Sequence, residues 1–339
     1  MNVLIIDFYH STSNVGGLRW RKFAKYLPQF GITPIVLTSG KEDDNDFPNI
    51  FHVPYFFNIP VSNVNDLSET LWGRIKRFIR GNFFIPDPRR LWFAYATAKR
   101  LVEQFKIPLI ITTGPPHSVH LLGLRLKNNL NVKWIADFRD PWLPYYYKNL
   151  YLTQFARFWQ EYYEWLVVSS ADFILAVEPG IVEHTHIISN GFDPDDFRGE
   201  IEPLSHFAYV GTLIDRKIIP GIGFKHIKNA SHDEAVWQMR RAKALIIANP
   251  VDVIPAKVYE YLASERPIYS FGIRGKCAEL IERCGAGKHF DFDEKTKIFT
   301  TGTFKLERNR EEIEKYNVKE LTRELARLIY YLWNVNAVL

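Results

Sequence analysis

The sequence predicts an α/β protein built as two doubly wound lobes, and three observations carry that expectation. Short apolar runs alternate with amphipathic stretches from the first residues onward: NVLIID (2–7), TPIVLT (33–38), PLIITT (108–113), VKWIAD (132–137), DFILAV (172–177) and HIIS (186–189). The pattern halts in an acidic, proline-containing stretch, DPDDFRGEIEPLS (193–205), and then restarts with HFAYVG, GFKHI, ALIIAN, PIYSF and GKHFDF. At 339 residues the chain is long for one domain and comfortable for two.

Each element follows from its local pattern. The apolar runs are short and continuous, as strands buried on both faces of a parallel sheet must be. Helical periodicity fills the intervals at 17–29, 88–106, 117–129 and 151–170, and again at 231–242, 255–264 and 274–285. A last helix over 318–333 shows Val318, Leu321, Leu325, Leu328 and Leu332 at helical spacing. The expected division is a first domain over 1–195, a second over 196–317, and a terminal helix, 318–339, packing back on the first. In such sheets ligands bind beyond the carboxyl ends of the strands, so two facing lobes are expected to enclose a cleft.

Hydrophobic residues make up 47 % and charged ones 24 %, as in a globular protein. The net charge of +5 favours an anionic ligand or membrane surface and is too small to argue for nucleic acid. Cys277 and Cys284 lie seven apart; on a helix that is roughly 10 Å, beyond disulfide reach, so core thiols in a reducing compartment are expected. The N-terminal MNVLIID breaks at Asp7 without a basic leader, and no run of about 18 apolar residues exists. A cytosolic protein, or one bound peripherally at the cytosolic face of a membrane, is the expectation.

Several motifs then gather at predicted strand ends. NVGGLRWRKF (14–23) lacks the GxGxxG spacing of a dinucleotide site, yet Gly16 and Gly17 would admit a phosphate or sugar close to a helix start; a plain tight turn is the alternative. TTGPPHSVH (112–120) places His117 and His120 three apart on one helical face, as site residues or as solvated or capping histidines. ADFRDPW (136–142) bunches Asp137, Arg139 and Asp140, which need partners because burying them unpaired is costly; an internal Arg–Asp network would serve equally. YVGTLIDRK (209–217) offers a Gly211 turn followed by Arg216 and Lys217, a plausible diphosphate cradle.

The most pointed stretch is DVIPAKVYEYLASERPIYSF (252–271). Proline and acid suit a helix start, whereas Lys257 opposes the dipole there unless an anion lies nearby. Three DxD strings, at Asp44/Asp46, Asp193/Asp195 and Asp291/Asp293, are ordinary for 38 acidic residues, and no metal is assigned. LWGRIKRFIRGNFFIPDPRRLWF (71–93) interleaves Arg74, Lys76, Arg77, Arg80, Arg89 and Arg90 with aromatics. It reads as an interfacial segment for anionic lipid or as a solvated basic face.

Taken together and in order, VGGLRWRKFAKYLPQFGITPIVLT, TTGPPHSVHLLGLRLK, WIADFRDPW, IISNGFDPDDF, FAYVGTL, IPAKVYEYLASERPI and AELIERCGAG resemble the GT-B retaining glycosyltransferases of family 4, in the surface-polysaccharide branch. The resemblance spans nearly the whole chain. It implies a GT-B fold of two Rossmann-like lobes and a nucleotide-diphosphate sugar as donor. It further implies a glycan or lipid-linked acceptor, and no cofactor. The paired-acid signature of that family falls on Asp252 and Glu260: Glu260 would bind the ribose hydroxyls, and Asp252 would face the donor sugar. Lys217 looks like the diphosphate lysine, Lys257 like the lysine of PxK, and Gly16–Gly17 like the glycine pair near the donor phosphates. Thr212 replaces an arginine frequent in relatives, and Arg139 stands where many carry an active-site histidine.

One departure is visible. Only a few residues, IIPGI, separate YVGTLIDRK from GFKHIKNASHDEAVWQM, so the second lobe is expected to lack a helix–strand unit. Three readings follow: a metal-independent transferase, a non-catalytic homologue serving as a binding or scaffold subunit, and a sugar-nucleotide epimerase, which shares the two-lobe architecture.

Overall fold

The computed structural model describes residues 1–10, 15–39, 49–53, 89–143, 153–212, 223–290 and 306–334. The chain divides into two compact units, Met1–Ser189 with Arg323–Leu339, and Asn190–Thr322.

The first unit runs β1 (Asn2–Asp7), α1 (Val15–Tyr26), β2 (Thr33–Ser39), β3 (Ile50–Val53), α2 (Arg89–Gln104), β4 (Leu109–Gly114), α3 (Ser118–Asn129), β5 (Lys133–Phe138), α4 (Gln154–Ser170), β6 (Phe173–Ala176) and β7 (His186–Ile187). All neighbouring strands pair in parallel, in the order β3-β2-β1-β4-β5-β6-β7. The order reverses between β1 and β4, which makes their carboxyl ends the switch point where such sheets bind ligands. β3 escapes the apolar-run pattern because it has only four residues, with His52 exposed among them.

Continuous apolar strands are explained by two-sided burial. Val3, Leu4, Ile5, Ile110, Ile111 and Ile135 are fully buried, with Trp134 and Phe138 filling one side of the same core. Gly17 has a packing reason. A side chain there would place its Cβ 1.5 Å from the Tyr9 carbonyl oxygen, so only glycine lets α1 approach the end of β1. α4 starts at the Thr153 side chain, which accepts the Ala156 N–H at 3.2 Å. It leaves Phe155, Phe158, Trp159, Tyr162 and Trp165 exposed along one face, and much of the aromatic excess of the sequence lies in this segment.

The second unit runs β8 (Phe207–Val210), β9 (Lys225–Ile227), α5 (His232–Arg241), β10 (Ala244–Asn249), α6 (Lys257–Ala263), β11 (Ile268–Gly272), α7 (Lys276–Arg283), β12 (Gly287–Phe290) and α8 (Arg310–Glu314). Its parallel sheet is ordered β12-β11-β10-β8-β9, five strands among the described residues, and reverses between β8 and β10. Ser231 caps α5 by accepting the Glu234 N–H, with acids in the first turn and arginines in the last. Cys277 and Cys284 are buried free thiols.

α9 (Val318–Asn334) begins in the second unit and ends in the first. Its buried stripe is Val318, Leu321, Leu325, Ile329 and Leu332, so Ile329 takes the place expected of the partly exposed Leu328. Within the first unit the Tyr330 hydroxyl donates to the Phe30 carbonyl at 2.9 Å, and Glu324 meets His186 at 2.6 Å. Among the described residues no helix is long and apolar enough to cross a membrane.

Candidate functional site

At the switch point of the first sheet, Asp7, Thr113 and Asp137 share one row of the strand register. All three are fully buried, so each needs partners from above the sheet. Asp137 receives the Thr113 hydroxyl at 2.8 Å, the Trp20 indole N–H at 2.7 Å, and the Arg19 guanidinium at 3.2 and 3.4 Å. Arg19 also donates to the Ile188 and Ser189 carbonyls. The internal Arg–Asp network therefore exists with a different arginine: Asp137 pairs with Arg19, not with nearby Arg139. Asp7 accepts the Tyr9 N–H with Oδ1, while Oδ2 faces His10 Nδ1 at 3.8 Å.

Arg139 turns toward the β4–α3 connection. It donates to the Gly114 carbonyl at 3.2 Å and to the Pro115 carbonyl, and its Nη1 is buried without a hydrogen-bond partner. Asp140 is next to it, its carboxyl pushed upward by burial and partly restrained by Arg139. His120 is fully buried, and His117 is half-buried at the N-cap position of α3 without a side-chain capping hydrogen bond. His117 stacks on Trp142 at 5.0 Å and His120 on Phe138 at 4.6 Å. Gly114 makes room for both rings, since a Cβ there would lie within 2.8 Å of each.

Burial holds both imidazoles neutral. His117 is lowered to about 4, offset slightly by the Pro141 carbonyl, and His120 is driven well below its usual range by burial and then by His117 and Arg139. The His117 Nε2 contact to the Pro141 carbonyl, at 3.2 Å, fixes the proton on Nε2, because a carbonyl only accepts. His117 Nδ1 is then a basic nitrogen without a partner.

In the second unit, two sequence-predicted residues meet at the β8/β10 switch point. Gly211 follows β8 with a φ of 98°, a conformation that favours glycine. Lys257, the first residue of α6, donates from Nζ to the Val210 carbonyl at 2.9 Å and lies 3.7 Å from the centroid of the Tyr209 ring. One turn on, Tyr261 accepts the Val210 N–H at 2.9 Å, so α6 secures both polar groups of the last β8 residue. Among the described residues no carboxylate lies within ion-pair distance of Lys257. Burial lowers its pKa to about 7, the Cys277 thiol opposing that slightly.

Glu260 is buried on the same face of α6, three residues on, with His232 Nδ1 at 3.9 Å. Asp252 has a structural task that its sequence does not announce. Its Oδ1 accepts the Lys276 N–H at 2.8 Å and caps α7, and Gly275 leaves the space for it. α6 has only seven residues and starts at Lys257 rather than Pro255, so side chains, not a helix dipole, carry any charge recognition here.

Arg216 and Lys217 lie outside the described residues, as do Arg74, Lys76, Arg77 and Arg80; Arg89 and Arg90 are the first residues of α2. Gly16 sits in the first turn of α1. The sequence reading missed Arg19, Trp20, Asp7, His10, Asp196 and His232. A buried aspartate in search of a cation is the signal that would have pointed to Arg19. Among the described residues no three His, Cys, Asp or Glu side chains group to hold a metal ion.

The two parallel sheets with their helices define an α/β protein of paired Rossmann-like lobes, the GT-B class of fold. It is similar to the glycosyltransferase from Rickettsia africae ESF-5, with a TM-score of 0.58, 12 % identity and 98 % of each chain covered. It is also similar to the UDP-GlcNAc 2-epimerase from Neisseria meningitidis bound to UDP-GlcNAc (TM-score 0.54, 11 % identity, 98 % of this chain and 100 % of that one). The UDP-GlcNAc 2-epimerase from Methanocaldococcus jannaschii gives 0.52, 9 % identity, and coverage of 98 % and 100 %. No protein-family model matches the chain, and no curated protein matches it in sequence. At such identities the likeness is one of fold.

Two outcomes are expected. Asp137→Asn leaves the buried Arg19 guanidinium short of its counter-charge and destabilises the first unit by about 3–5 kcal/mol in chemical denaturation. For His117, the folded pKa lies below the unfolded one, so the unfolded chain binds the extra proton. Stability should fall as pH drops from about 6.5 to about 4, by up to about 3 kcal/mol from this residue. His117→Phe, which keeps the stacking, should flatten that part of the pH profile.

Proposed function

We propose that this protein transfers a sugar from a nucleotide-diphosphate donor to a glycan or lipid-linked acceptor, with retention and without a metal, as its resemblance to family 4 implies. The observation that carries the reading is the Lys257 ammonium at a sheet switch point, beside a glycine turn and without a carboxylate partner among the described residues. A half-buried cation so placed is suited to an anionic ligand. The Neisseria epimerase of the same fold is bound to UDP-GlcNAc, which supports a nucleotide sugar as the ligand.

In this reading the diphosphate lies against Lys257 and Gly211, and Glu260 accepts hydrogen bonds from the ribose hydroxyls. Lys217 is the second lysine that the resemblance assigns to the diphosphate, and Asp252 has one carboxylate oxygen beyond its cap to offer the sugar. Each charge-assisted hydrogen bond contributes about 1.5–3 kcal/mol, so a few suffice for micromolar affinity. As the glycosidic bond breaks, negative charge grows on the leaving diphosphate, and a protonated Lys257 stabilises it where a metal ion serves in other sites. His117, Arg139 and Asp140 are proposed as catalytic residues, Arg139 because it stands where many relatives carry an active-site histidine. Retention follows from attack by the acceptor on the face that the diphosphate leaves.

Lys257 also sets a pH dependence. With a pKa of about 7 in the free protein, it is largely neutral at pH 8, and an arriving diphosphate raises that pKa. Binding therefore takes up a proton, and affinity falls toward tenfold per pH unit above about 7.

Calorimetry with UDP, GDP and ADP in buffers of different ionisation enthalpy tests this. Lys257→Met should weaken the best ligand at least tenfold and abolish the proton uptake, and Glu260→Gln should weaken it at least tenfold. Full-strength binding by both variants would sink the site. Epimerisation is the second reading, favoured by the epimerase folds; conversion of a donor to its epimer with no acceptor present would establish it instead. The basic aromatic sequence of 71–93 supports a peripheral contact with anionic lipid. Sedimentation with phosphatidylserine vesicles should fade at high salt, and absence of binding would remove that contact.

A further inference from the structure

We infer that His232, anchored by Asp196, is a positioning residue that holds Glu260 in place for a ribose. This rests on the nucleotide reading above and adds to it two residues from outside the α6 motif.

His232 opens α5, and the Ser231 cap fixes where its backbone lies. Its ring stands between two carboxylates. Nε2 is 2.8 Å from Asp196 Oδ2, and Nδ1 is 3.9 Å from Glu260 Oε1. A carboxylate accepts only, so Nε2 carries a proton and the ring orientation is set from the Asp196 side.

Asp196 is itself held. It lies in the 3-10 turn Pro194–Phe197, which the Asp193 side chain caps by accepting the Asp195 N–H at 2.9 Å. Arg240, near the end of α5, donates to the Asp196, Arg198 and Gly199 carbonyls. The chain Asp196–His232–Glu260 thus runs from a braced turn, through the start of one helix, to the face of α6 that also carries Lys257.

The longer of the two contacts is the informative one. At 3.9 Å the ring restrains Glu260 without the close geometry of a hydrogen bond. Glu260 is buried, and a buried carboxylate is costly unless its surroundings stabilise it. A ring held in place on one side would keep its carboxylate aimed, as an acceptor for paired hydroxyls must be. Partners that orient a ligating group through one intervening residue commonly change affinity by tenfold or more.

The test compares the tightest-binding ribonucleoside diphosphate with inorganic pyrophosphate, which lacks the ribose. For His232→Ala and Asp196→Asn, nucleoside diphosphate binding should weaken about tenfold and about threefold, with pyrophosphate binding within twofold of wild type. His232→Asn keeps an amide near the Nδ1 position and should recover part of the loss. His232→Gln keeps the reach to Asp196 only and should not. In a Glu260→Gln background, His232→Ala should add less than twofold, because it acts through an acid already neutralised.

Equal weakening of both ligands by His232→Ala would overturn the inference, as would a full additive loss in the Glu260→Gln background. A Glu260→Gln loss with no His232→Ala loss would overturn it while leaving the nucleotide reading standing. If wild type bound no nucleoside diphosphate more tightly than pyrophosphate, the nucleotide reading would fall and the inference with it.

Discussion

A lysine ammonium lying on one backbone carbonyl and one tyrosine face organises the second unit. Lys257 and Tyr261, one turn apart, take the carbonyl and the N–H of Val210 and so fix α6 against the end of β8. The ammonium is nevertheless poorly compensated: burial alone moves it to about 7. A group held this firmly yet disfavoured in its charged form is stabilised by whatever anion arrives beside it. That tension between a structural contact and an unmet charge distinguishes this lysine from an ordinary buried one.

The same physical rule shapes both sheets. Parallel strands bury their sides, and in each unit a cluster of polar side chains gathers at the carboxyl ends. In the first unit that gathering is the Asp7–Thr113–Asp137 row, with Arg19 and Trp20 supplied by α1. In the second it is Gly211 and the α6 face, with His232 and Asp196 behind it. The first is closed on itself by hydrogen bonds and reads as a structural keystone. The second has a cation without a carboxylate partner among the described residues, and the proposed function rests on it.

How much of this could be read from the chain follows the range of the forces involved. Strands such as NVLIID and ALIIAN announce themselves because two-sided burial writes a continuous apolar run. β3 does not, since four residues with an exposed His52 carry no such run. The α6 residues Lys257 and Glu260 stood out because a lysine at a helix start contradicts local electrostatics. Pairings between distant residues left no local trace. Arg19 and Asp137 are 118 positions apart, and His232 reaches Asp196 and Glu260 from a third segment. Asp252 reads in the sequence as half of an acid pair, and only the structure shows that it also ties the loop to the start of α7. Arg139 looked like the natural partner of Asp137, yet it turns to the Gly114 and Pro115 carbonyls.

The loop between β10 and α6 gives the Asp252 cap a wider meaning. Asn249 clasps the Val253 carbonyl at 2.6 Å from inside the loop, and Asp252 fastens the same loop outward to Lys276. Lys257 is therefore delivered on a bracket bolted at both sides rather than on a swinging arm. Its conformational freedom is surrendered during folding, so a ligand bound as proposed would meet a preorganised cation and lose little entropy in ordering it. Reshaping this segment for another ligand would also mean rebuilding the start of α7.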